Sequence, residues 1–213
     1  MDYQVLINQM LEGSLQTLLL FFSTLLFSLP LGLLVAMGRM SKHKIINWPV
    51  RFYILVMRGT PLLLQLIFIF YALKPLFGIQ LERMAAAQLA FALNYAAYFA
   101  EIYRGGMESI PKGQYEAAQV LGFTRRQTFF RIVLPQVVKR VIPPMGNEFI
   151  TLVKDTSLAQ VINVVELFKV TNTWVASTGI MTPFIIAAVF YLVMNGVVTR
   201  CFTVAEKRLN YYR

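Results

Sequence analysis

Long apolar stretches separated by short basic segments set the pattern of this chain. The apolar residues run continuously and do not alternate, which excludes half-buried strands and predicts helices. About 20 mostly apolar residues are needed for a helix to cross the hydrocarbon of a bilayer. Five segments meet that length: 14–37, 52–77, 84–103, 141–165 and 183–202. The fourth carries Glu148, Lys154 and Asp155, and the second is interrupted by Arg58-Gly59-Thr60-Pro61. Thr60 suits a cap and Pro61 the first turn of a helix, so a break or restart is expected there, near one membrane surface. The predicted fold class is an all-α integral membrane protein with five transmembrane helices, in a single domain over residues 1–213. No repeat of fixed period and no low-complexity stretch interrupts it.

Charge fixes the orientation. Of the residues, 57% are hydrophobic and 14% charged, against roughly 25% charged in a soluble domain. The net charge of +10 would fit a nucleic-acid partner, but the cations lie in the segments between apolar runs and form no basic helix face. Five crossings put the termini on opposite sides. With the N-terminus outside, sixteen of the twenty Lys and Arg fall inside: Arg39, Lys42, Lys44, Arg51 and Arg58; seven between 104 and 140; and Arg200, Lys207, Arg208 and Arg213. The positive-inside rule selects that topology and accounts for most of the basic excess without nucleic acid. The start carries Asp2 and Glu12 and no early cation, so no cleavable signal peptide is expected. Cys201 is the single cysteine and His43 the single histidine, which leaves no internal disulfide and no sign of a metal site.

One inside segment, 104–140, is too patterned for a mere connector. Pro111 fits the first turn of a helix and Gly122 its left-handed C-terminal position. Thr124 followed by Gln127 is a capping box that opens a second helix. That helix is expected to run through Phe129, Phe130 and Ile132 and to stop at Leu134-Pro135. Ala117 and Ala118 give the first helix a small-residue surface that lets another backbone approach. Spacing alone fits two readings: a docking element for a partner protein, or an amphipathic hairpin lying among lipid headgroups.

The residues Glu116-Ala117-Ala118, then Gly122, then Ile132-Val133-Leu134-Pro135 resemble the EAA loop of ABC importer permeases over twenty residues. Arg58-Gly59-Thr60-Pro61-Leu62-Leu63 with Gln65 and Tyr71, Glu101-Ile102-Tyr103-Arg104-Gly105-Gly106, and Lys154-Asp155-Thr156-Ser157-Leu158 resemble the polar amino-acid branch of that family. The resemblance implies a type I importer permease in a bacterial cytoplasmic membrane, with the C-terminus cytoplasmic. It implies a helix of the 104–140 loop seated on a separate ATPase, with Glu116, Ala117, Ala118, Gly122, Arg125 and Arg126 as coupling residues. Glu116 would pair with a basic group of the ATPase. No G-x-x-x-x-G-K-[ST] segment occurs in the chain, so ATP and its Mg²⁺ would belong to that partner. A second permease copy or paralogue, an extracytoplasmic solute-binding protein, lipid and an amino-acid substrate complete the implied set. The acidic start and residues 168–181 lie outside on this topology, where the binding protein would meet them.

Charges at membrane depth cost roughly 2.5–3.5 kcal/mol each on insertion scales, so they tend to be paired or functional. Glu148, Thr151 and Asp155 share one helix face, with Asn147 and Lys154 flanking, and Asn94, Tyr98 and Glu101 share another. An amino acid needs a cation or amide dipoles for its carboxylate and an anion for its ammonium. Lys154 with Asp155 or Glu148 would supply both. The expected substrate path is Asn94, Tyr98, Glu148, Thr151, Lys154 and Asp155. Its acidic excess favours arginine, lysine or histidine, with glutamine as another candidate. Simpler readings compete: Glu101 pairs only with Arg104, Asp155 only with Lys154, and the binding protein alone selects the substrate. Intramembrane proteases fit poorly, because His43 lies in a basic loop, H-E-x-x-H is missing and Asp155 has no membrane-embedded twin. A stand-alone channel or ion-coupled carrier would explain the membrane charges but not the 116–135 pattern.

Overall fold

In a computed structural model describing residues 2–209, all regular structure among the described residues is helical. Arg213, one of the inside cations, lies outside that range. The helices are α1 (Tyr3–Arg39), α2 (Lys44–Gly59), α3 (Leu62–Phe77), α4 (Arg83–Glu108), α5 (Lys112–Val120), α6 (Arg125–Gln127), α7 (Leu134–Asp155), α8 (Leu167–Thr178) and α9 (Thr182–Leu209). A turn of π-helix, Thr128–Val133, joins α6 to α7, and a 3₁₀ segment, Thr156–Ile162, follows α7.

By length and composition two of these helices, α1 and α9, can each cross a membrane. The α2–α3 pair qualifies only as one span bent by 108°. The break expected at residues 58–61 within the 52–77 segment is present as this bend. Pro61 has no N–H to give the Met57 carbonyl and its ring clashes with a continuing helix, so the chain turns at that point. The expected third span, α4, is less apolar for a different reason. It is an interior helix: α4 packs against α1, α2, α3 and α7, and an interior helix need not satisfy lipid. The expected fourth span, 141–165, is not one helix, because α7 ends at Asp155 and the 3₁₀ segment Thr156–Ile162 follows. Ala86, Ala87, Ala90, Ala96, Ala97 and Ala100 are fully buried on α4. Their small side chains let α1 approach closely; a Cβ on Gly32 of α1 would meet the Phe99 Cβ at 2.9 Å. Phe99, Phe149, Phe21 and Phe202 interlock across α4, α7, α1 and α9.

Glu166 anchors the far end of the bundle. Its fully buried carboxylate caps α8, accepting hydrogen bonds from the backbone N–H groups of Phe168 and Lys169 at 2.7 Å each. It also accepts the Tyr191 hydroxyl of α9 at 3.3 Å. The Leu167 N–H donates to Thr17 Oγ1, and Trp174 Nε1 donates to Gln9 Oε1. One acid thereby ties α8 and α9 together, while the flanking bonds fasten α8 to α1.

The second expected helix of the 104–140 loop does not stop at Leu134-Pro135. The chain passes Pro135 and runs on as α7 to Asp155. The π-turn makes this possible, because the Leu134 N–H reaches back five residues to the Phe129 carbonyl and widens the helix just before the proline.

Candidate functional site

The break between α2 and α3 leaves carbonyls without helical partners, and two amides on neighbouring helices take them. Asn94 Nδ2 donates to the Met57 carbonyl at 2.9 Å and to Gln65 Oε1 at 3.0 Å. Gln65 Nε2 shares its hydrogens among the Met57 carbonyl, the Thr60 carbonyl and the Thr60 hydroxyl. Asn94 is 4% exposed, so its amino group is committed to bracing the bend. Replacing it by leucine strips two bonds and leaves Gln65 Oε1 without this donor, at a cost of about 1–3 kcal/mol. Asn94→Leu should lower the midpoint of thermal unfolding by several degrees. An unchanged midpoint would show that the brace is dispensable.

Beside the break lies a cavity of about 570 Å³. Asn94, Tyr98, Glu148, Thr151 and Asp155 all line it, together with Arg58, Tyr95 and the broken segment Gly59-Thr60-Pro61-Leu62. Five of the six residues expected on the path thus meet in one place. Lys154 does not. It is exposed and off this cavity, because successive helix residues point about 100° apart and do not share a face. The cavity's cation is Arg58, on the other side of the bend. Tyr95 was not foreseen: it is 2% exposed and donates its hydroxyl to Asp155 Oδ2 at 2.8 Å. That bond links residues sixty positions apart, and no local pattern announces it. Asp155 is therefore oriented by Tyr95 from α4.

Glu101 faces a second, adjoining cavity of about 760 Å³, which shares Arg58, Gly59 and Tyr98 with the first. Arg104 chelates its carboxylate, with Nη2 at 2.6 Å and Nε at 3.1–3.2 Å. Arg39 stands at 3.6 Å and Arg58 at 3.9 Å. Arg104 also bonds Glu108. The expected Glu101–Arg104 pair is present, but Glu101 also draws the ends of α1 and α2 towards α4.

Just past the C-terminal end of α4, α5 closes on a left-handed Gly122, φ +76°. The Phe123 N–H reaches the Ala118 carbonyl and the Gly122 N–H reaches that of Gln119, both at 3.0 Å. Those two bonds form a Schellman cap. Thr124 and Gln127 then exchange bonds in the expected capping box, at 2.8 and 3.3 Å. The two alanines differ in position. Ala117 is exposed, whereas Ala118 is 1% exposed and folded into the elbow itself. The expectation that both offer a surface is corrected for Ala118, because α5 turns that side towards the rest of the loop. What α5 does present is Glu116, Ala117 and two apolar tips, Val120 at 88% and Leu121 at 72% exposure. Arg125 and Arg126 open the following helix and are exposed as well.

Residues 28–211 match the family described as binding-protein-dependent transport system inner membrane component. The chain belongs to that family. Among its relatives, this permease is 41% identical over 202 residues to the L-cystine transport system permease protein TcyB of Bacillus subtilis (strain 168), covering 94% of this chain and 86% of the relative. It is 34% identical over 213 residues to the arginine transport system permease protein ArtQ of the same organism, covering 98% and 97%. A solved amino acid ABC transporter crystallised with histidines has a chain 33% identical to it, superimposing with a TM-score of 0.88 over 98% of this permease and 99% of that chain. The fold is that of a type I ABC importer permease, an integral inner-membrane protein.

Proposed function

We propose that this permease forms the translocation path of an ATP-driven amino-acid importer, and that its substrate is a basic amino acid: arginine, lysine or histidine. The observation that carries this reading is the cavity at the α2–α3 break. It gathers two carboxylates, Glu148 and Asp155, and one cation, Arg58, around a volume of about 570 Å³, large enough for an amino acid. Relatives named for cystine and arginine support an amino-acid cargo but differ in which one. The acidic excess is what favours a cationic side chain.

In this proposal the chain crosses the cytoplasmic membrane five times, N-terminus outside and C-terminus cytoplasmic. The α5–Gly122–α6 elbow is then cytoplasmic and docks on a separate ATPase, which holds ATP and Mg²⁺. Glu116 meets a basic group there, Ala117 allows close approach, and Val120 and Leu121 bury their exposed tips. Gly122 fixes the bend, and Arg125 and Arg126 flank the contact. Closure of the ATPase dimer pushes on the elbow, and α7 carries the motion to Glu148 and Asp155 because the helix runs on through Pro135. A second permease copy or paralogue completes the path, and an extracytoplasmic binding protein delivers the amino acid.

The test is equilibrium binding of radiolabelled arginine, lysine, histidine, glutamine and cystine to the detergent-purified importer complex without its binding protein. The basic amino acids should bind most tightly. Binding of none of the five would remove the membrane site from the account, and tightest binding of cystine would overturn the basic specificity.

A further inference from the structure

We infer that Arg58 is the residue that receives the α-carboxylate of the amino acid in the cavity, and so separates amino acids from amines of the same side chain. The inference rests on the cavity being the substrate site. Among its described lining residues Arg58 is the single cation, and it stands on α2 while both acids, Glu148 and Asp155, stand on α7. The site therefore has one cationic wall and one acidic wall, as a zwitterion requires.

The Arg58 guanidinium is also under-used. Among the described residues it enters no hydrogen bond: its contact with Glu101 is 3.9 Å long and it lies over the Tyr98 ring at 5.1 Å. Glu101 is already satisfied by Arg104, whose Nε and Nη2 both reach its carboxylate. The Tyr98 face holds the guanidinium at the boundary between the two cavities, with its planar fork of donors left for an incoming carboxylate, which it matches bidentately. The helix break adds to this. Pro61 and Leu62, where α3 starts, line the same cavity, and the start of a 16-residue helix carries partial positive charge. Broken membrane helices commonly offer such an end to an anionic substrate group. Lys154 makes no such contribution from its exposed position.

The test compares each of arginine, lysine, histidine and glutamine with its decarboxylated amine, measuring binding to the purified complex without the binding protein. Wild type should favour the amino acid by at least about tenfold over the amine. Arg58→Gln should erase that preference by weakening the amino acid, while the amine, relieved of a like charge, should bind at least as tightly as to wild type and so report that the cavity is intact. Arg58→Lys, which keeps the charge and loses the fork, should fall between them, and it serves if the Gln variant is not recovered. Glu101→Gln should keep the preference. Equal loss of amino acid and amine in both Arg58 variants, or a wild type indifferent to the carboxylate, would overturn the inference while leaving the cavity as the substrate site. If none of the four amino acids binds wild type, the site and the inference fall together.

Discussion

Substitution of Glu116→Lys together with Ala117→Trp is expected to cut ATP-driven uptake by about thirtyfold or more, with the permease still folded. Both positions are exposed on α5, so neither change creates a cavity or a clash within the chain. The loss is expected at the proposed contact with the ATPase, since one residue at the centre of an interface commonly carries 2 kcal/mol or more. Glu116→Lys reverses a charge that is to meet a basic group, and tryptophan holds the two backbones apart. ATPase subunits should co-purify poorly with the variant, and the hydrolysis that remains should no longer respond to substrate. A thermal midpoint equal to wild type keeps the effect at the interface. Full uptake by the double variant would remove α5 from the power train. Gly122→Val gives an independent reading of the same elbow, since a β-branched residue at φ +76° costs about 1–2 kcal/mol and misdirects α5.

Glu148→Gln is expected to weaken uptake of arginine or lysine by roughly tenfold to a hundredfold while leaving glutamine nearly unchanged. The carboxylate lines the cavity beside Thr151 and Asp155. A charge-assisted hydrogen bond to a cationic side chain contributes about 1.5–3 kcal/mol, which glutamine never gains. The isosteric amide keeps volume and packing, so the split between substrates reports charge alone. Uptake assays in cells lacking other basic amino-acid importers read it directly. Equal loss for both substrates would mean that Glu148 supports the helix and does not read the cargo.

Much of this was legible locally. Thr124 with Gln127, Gly122 and Pro61 each act on their own backbone within a few residues, so the capping box, the left-handed bend and the break at residues 58–61 could be read directly. Period-3.6 spacing likewise placed Glu148, Thr151 and Asp155 on one face. What sequence did not reveal depends on contacts distant along the chain. Tyr95 reaches Asp155, Asn94 reaches Met57, and Glu166 receives Tyr191; none has a periodic signature. Lys154 looked like the natural partner for a carboxylate because it stood next to Asp155, whereas the bend at Pro61 brings Arg58 there. Pro135 looked like a stop because a proline usually is one, and a π-turn two residues earlier is invisible to composition.

The most direct measurement is uptake of a labelled basic amino acid into proteoliposomes holding this permease, its ATPase and its binding protein, with ATP on the ATPase side. Uptake should require ATP and fall to background when the ATPase is replaced by a hydrolysis-dead version. Uptake that continues with the dead ATPase, or that follows an imposed ion gradient without ATP, would make the chain a self-sufficient carrier and contradict the account.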